Sequence, residues 1–78
     1  SSPEMILTVI SLLRQLGRTG RNILMKTCRD KDLLRAKASI SALMEMKDQT
    51  IDDLFEDLLN DKSIDRMIKE DILRDKII

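Results

Sequence analysis

The chain has no histidine, no tryptophan and no tyrosine, and only one cysteine, one phenylalanine, one proline and two glycines. Each shortage removes a class of function. Without histidine there is no imidazole to act as a general base near neutral pH or to complete a zinc site. Cys28 stands alone, so no disulfide framework exists, and no neighbouring base activates it as a nucleophile. A single aromatic, Phe55, offers no stacking platform for single-stranded nucleic acid. The longest apolar run is too short and too interrupted to cross a bilayer. No basic stretch followed by an apolar segment and a small-residue cleavage site opens the chain. The expectations are therefore no catalysis, no cofactor, no metal, no small-molecule substrate and no membrane. A lone thiol without a targeting signal points to cytosol or nucleus.

Two short motifs invite a chemical reading and fail. Gly17-Arg18-Thr19-Gly20 has two glycines but neither the spacing nor the preceding strand of a phosphate-binding loop. It reads as a turn between helices. Asp61, Ser63 and Asp65 begin like a calcium loop, but Arg66 stands where the glycine is needed and Ile72 where the bidentate glutamate belongs.

What the sequence does have is helix-forming character and charge. Strand signals are missing. Net charge is zero, yet residues 1–39 carry eight Lys/Arg against three Asp/Glu (+5), and residues 40–78 carry six against eleven (−5). Such a chain can pair its own helices or pair with a copy of itself.

The richest apolar stretch is residues 5–16, MILTVISLLRQL. On a helix its large apolar side chains sweep roughly 220°, about twice the stripe that a core-facing helix needs. Glu4, Thr8, Ser11 and Gln15 form a narrow polar strip. Such a helix is either the centre of its own domain or part of an interface. Ser2 as cap, Pro3 at the first position and Glu4 at the positive end set its start. Gly17 sets its end.

Four more helices follow from periodicity and caps. The second covers about residues 21–28, burying Ile23, Leu24, Met25 and Cys28. The third covers about residues 31–47, capped by Asp30, with a stripe of Leu33, Ala36, Ile40, Leu43 and Met44. Small residues Ala36, Ala38, Ser39, Ser41 and Ala42 allow close approach of another helix. The fourth is capped by Thr50 and carries the cleanest stripe, Ile51, Leu54, Phe55, Leu58 and Leu59. The fifth covers about residues 64–76, capped by Ser63, with Ile64, Met67, Ile68 and Ile72 inward and Asp71 in mid-stripe. An unpaired buried carboxylate is costly, so Asp71 calls for a basic neighbour, an exposed helix end or an interface. The exposed end is the commonest answer near a terminus. The apolar tip Ile77-Ile78 leads us to expect that the domain is cut from a longer protein or tucks its end back.

These readings give one all-α domain over residues 1–78, a bundle of about five helices with the hydrophobic first helix at its centre. A domain this short gains stability from oligomerisation, so the expected role is a non-catalytic protein–protein interaction or homo-oligomerisation module, an adaptor or scaffold, with a homodimer as the first expectation. The acidic face Asp52, Asp53, Glu56 and Asp57 is expected to meet basic residues of a partner or of a second copy. Arg29, Lys31 and Arg35 are the matching basic set, and residues 29–37 are also the nearest internal counterpart. The alternative is nucleic-acid binding by the basic segment 18–37, led by Arg18, Arg21 and Lys26.

Overall fold

The computed structural model describes residues 2–77. Five helices run α1 (Pro3–Gln15), α2 (Arg18–Thr27), α3 (Leu33–Glu45), α4 (Gln49–Asn60) and α5 (Arg66–Ile77). No strand occurs among the described residues. The Cα radius of gyration is 11.7 Å, against about 11.5 Å expected for a folded chain of this length, so the helices form one body. The all-α bundle of five helices is as expected.

Its centre is not. The first helix lies on the flank: only Ile6 and Ile10 of α1 are buried, while Met5, Leu7, Val9, Leu12 and Leu16 are about half exposed. The centre is α3, which packs against α1, α2 and α5. It buries Ala36, Ser39, Ile40, Ala42 and Leu43. The reason is side-chain size. Small residues on several sides of α3 let neighbours close in all round, whereas the wide ring of large residues on α1 would need more covering helices than the chain possesses. Leu24, Cys28, Ile51, Phe55, Leu58, Ile68 and Ile72 complete the core.

Aspartates start α3, α4 and α5, taking the place of Asp30 in the first and of the hydroxyls of Thr50 and Ser63 in the other two. Asp32 Oδ1 accepts from the Leu34 and Arg35 amides, at 3.0 and 3.2 Å. Asp30, the expected cap, instead accepts from the Asp32 amide. Asp48 accepts from the Ile51 amide at 3.0 Å, leaving Thr50 inside α4. Asp65 accepts from the Met67 amide at 2.8 Å, so α5 begins after Ser63. Ser63 itself donates, through both amide and hydroxyl, to Asp61. The first helix starts as read, with Ser2 Oγ accepting from the Met5 amide.

The glycine-rich segment is mostly helix. Gly17 makes the turn with φ of +62°, a conformation costly for side chains. Gly20 lies within α2 against α1: a Cβ there would sit 1.7 Å from the Leu13 carbonyl oxygen. Its role is contact between two helices, not looseness. Ile23 and Met67, expected inward, are 43% and 47% exposed.

Candidate functional site

The feature that remains after folding is the open side of α1. Met5, Val9, Leu12 and Leu16 are 60%, 47%, 56% and 60% exposed. They follow one another at steps of four, three and four residues, the spacing of the apolar seam in a coiled coil. On the helix they occupy an arc of about 60°, turned roughly 110° from the buried Ile6 and Ile10. Alongside runs a groove of about 300 Å³, lined by Ile6, Ile10 and Leu13 of α1, Ile23 and Thr27 of α2 and Arg35 of α3.

Taken from the sequence, the eight apolar residues of this helix form one broad arc. Two stripes were in fact legible: Ile6, Ile10 and Leu13 for the domain's own core, and the four-three-four series for something else, with Leu7 in neither.

Along α1 itself the margin of this seam is polar but uncharged, while Arg35 lies across the groove. Thr8 and Gln15 flank it, and the Thr8 hydroxyl donates to the Glu4 carbonyl oxygen at 2.9 Å. No charged residue lies between Met5 and Leu13. Arg14 pairs with Glu45 on α3.

The residues expected to bind a partner do not form one cluster. On α4, Asp52 pairs with Lys47 at 3.5 Å and Glu56 with Lys76 at 3.0 Å. Asp53 accepts from Gln49. Asp57 is exposed with no partner among the described residues. The matching basic set turns elsewhere: Arg29 pairs with Asp61 at 2.6 Å, Arg35 approaches Asp30 at 3.9 Å, and Lys31 is exposed. The acidic face therefore draws its internal counter-charges from Lys47 and Lys76 rather than from residues 29–37. Asp71 finds a basic neighbour, Lys37 of α3 at 3.1 Å, and is only 18% exposed. Its place in mid-stripe is thus a cross-helix ion pair rather than an exposed helix end.

Of the three basic residues in the nucleic-acid reading, Arg21 is committed to Asp48, its Nη2 donating to both carboxylate oxygens at 2.8 and 2.7 Å. Arg18 and Lys26 are exposed, with no partner among the described residues.

The titrating groups that depart from ordinary values belong to the scaffold. Asp61 is lowered to about 2 by the Ser63 hydroxyl and amide, helped by Arg29. Asp48 is lowered by the Ile51 amide and by Arg21. Lys47 is raised by its hydrogen bond to Asp75. Burial pushes the Cys28 thiol up, and its Sγ donates to the Met25 carbonyl oxygen at 3.0 Å. Among the described residues no group of His, Cys, Asp and Glu is arranged to hold a metal ion. No helix among them is long and apolar enough to cross a membrane. Ile77 is 84% exposed, and Ile78 lies outside the described residues.

In comparison with known proteins, no family model, no curated protein and no solved structure matches this chain.

Proposed function

We propose that the chain is a non-catalytic protein–protein interaction or homo-oligomerisation module, and that its docking surface is the open side of α1. The observation that carries this reading is the seam of Met5, Val9, Leu12 and Leu16, four large apolar side chains about half exposed in one row. Scattered exposed apolar residues need no explanation, but a contiguous row beside an apolar groove marks an interaction site. A lone thiol at Cys28 suits a reducing compartment, cytosol or nucleus, as the setting.

The test is Leu12→Asp. Because Leu12 faces out while Leu13 lies against the core, this variant should keep wild-type helicity and lose association, read by circular dichroism and sedimentation. A variant that unfolds, or one that associates as wild type does, contradicts the reading.

Nucleic-acid binding is the second reading, favoured by one observation. Arg18 and Lys26 lie eight residues apart and so share the outer face of α2. Two cations are a small footprint for phosphate recognition, which is why this reading ranks below the first. Steeply salt-dependent binding of a short RNA or DNA probe, lost on Arg18→Glu with Lys26→Glu, would reverse the order.

A further inference from the structure

We infer that the occupant of the α1 seam is a second copy of this chain, with the two α1 helices antiparallel about a twofold axis. This rests on the proposed interaction role and goes on to name its partner and its geometry.

The seam is a palindrome. Met5, Val9, Leu12 and Leu16 are separated by four, three and four residues, so the series reads the same from either end. Reversing one copy about the point between Ile10 and Ser11 sets Met5 opposite Leu16 of the second copy. The same reversal sets Val9 opposite Leu12 of the second copy. Every member of the row then has an apolar counterpart, which is what a twofold interface requires of a single patch.

Charge selects the antiparallel direction. The same register puts Glu4 opposite Gly17 of the other copy, next to its Arg18. Glu4 and Arg18 are both exposed, and neither side chain has a partner among the described residues. The axis repeats that pairing at the other end of the seam. A parallel arrangement instead sets Glu4 beside Glu4 and Arg18 beside Arg18. Helix dipoles add in the same sense, because each positive N-terminus lies by a negative C-terminus. The stretch of α1 between these ends carries no charge from Met5 to Leu13, so the two seams meet without like charge, with Arg35 of α3 in the groove to one side. A strongly charged partner helix would find little there to pair with.

Size sets the expected strength. The seam residues and Ile23 hold on the order of 100 Å² each, so a symmetric pair hides about 1,000 Å², the lower bound of a specific interface. The seam is about 16 Å long, too short for a free coiled coil. Here, however, each α1 is already held as a helix by α2 and α3, so little ordering cost remains to be met on association. A dimer with a micromolar dissociation constant is expected, and the groove beside Ile23 and Thr27 is closed by it.

Cysteine cross-linking tests the arrangement. Met5→Cys and Leu16→Cys are made separately in the whole chain. Cys28 is 1% exposed, and wild type serves as the control that it does not react. Under mild oxidation at high micromolar concentration, the mixture of the two variants should give a disulfide-linked dimer. Peptide mass should place its bridge between position 5 of one copy and position 16 of the other, while each variant alone gives little. A variant that cross-links to itself as strongly as the mixture does would show a parallel pair. That overturns this geometry and leaves the interaction role standing. No cross-link, together with a monomeric mass for wild type, would overturn the second copy as occupant; pull-down experiments comparing wild type with Leu12→Asp then decide separately whether another protein uses the seam. Charge exchange gives an independent reading. Glu4→Lys should weaken self-association several-fold, and adding Arg18→Glu should restore it. A restored affinity supports the pairing of these two ends, and an unrestored one contradicts it.

Discussion

α1 and α3 are both thirteen-residue helices, and the more hydrophobic-looking of the two is the less buried. The first carries large side chains around most of its circumference and buries two residues; the third intersperses small residues among its large ones and buries five. Centrality follows from how closely neighbours can approach, not from how much apolar surface a helix offers. Apolar surface beyond what neighbours can reach stays open. In α1 most of it is gathered into one regular row, with Leu7 exposed apart from it.

The sharpest way to break this contrast is to cut equal volumes from both helices. Leu43→Ala on α3 should cost about 3–4 kcal/mol, because Leu43 is fully buried and a cavity is left behind. That is a large part of the total stability of a small domain. Leu12→Ala on α1 should cost about 0.5 kcal/mol or less in the monomer. Urea denaturation at low protein concentration gives both numbers. Similar losses would mean that α1 is as central as α3.

The second test concerns how α1 is seated. Gly20→Ala places a Cβ against the Leu13 backbone carbonyl, where no flexible side chain can yield. The helices must separate, at a cost of about 3 kcal/mol. Gly17→Ala meets no atom within 4 Å but must hold φ of +62°, which costs about 1 kcal/mol. Thermal unfolding of the two variants should rank them in that order.

On the other side of α3, Lys37→Ala leaves the Asp71 carboxylate with only Arg74 of its own helix. With both partners of the Lys37 pair partly exposed, a loss of about 1 kcal/mol is expected. Lys37→Ala combined with Asp71→Leu should recover most of it, since an apolar residue there continues the Ile68–Ile72 stripe. A double variant no better than the single one would show that the pair is not what holds α5 to α3.

The smallest effect is a pH dependence, and it too separates the two regions. Asp61 and Asp48 both lie below the ordinary 3.8, with Asp61 at about 2. A lowered folded-state value stabilises fully above 3.8 and is lost as pH falls toward 2. These two carboxylates tie the start of α4 and the turn after it to Arg21 of α2 and to Arg29 just beyond that helix. Acid should therefore loosen the α2–α4 side while the uncharged seam of α1 is untouched. Asp61→Asn should flatten the acid limb of the thermal midpoint between about pH 4 and pH 2. An unchanged limb would show that these contacts add nothing to stability.

Much of this was legible in the sequence, and the misses share a cause. Local periodicity gave five helices, and the α4 stripe of Ile51, Leu54, Phe55, Leu58 and Leu59 faces inward as read. Caps slipped where two polar residues competed. Asp48 prevailed over Thr50 because a carboxylate can accept from Ile51 and bind Arg21 at once, and Arg21 is distant in sequence. The role of Gly20 depends on the backbone of α1, and that of Asp71 on Lys37 of another helix; neither is written in local spacing. For α1, width of arc revealed an excess of apolar surface but not which part the domain covers. The seam itself was readable as a four-three-four series once the core stripe was set aside.

The most direct measurement of the central claim is amide hydrogen exchange across α1 and α3 at low and at high micromolar protein. α3 should be the most protected helix at every concentration, and α1 should exchange faster when dilute and gain protection as concentration rises. If α1 is as protected as α3 at the lowest concentration, it is the centre of the fold after all. If its protection never changes with concentration, the seam does not join two copies of this chain.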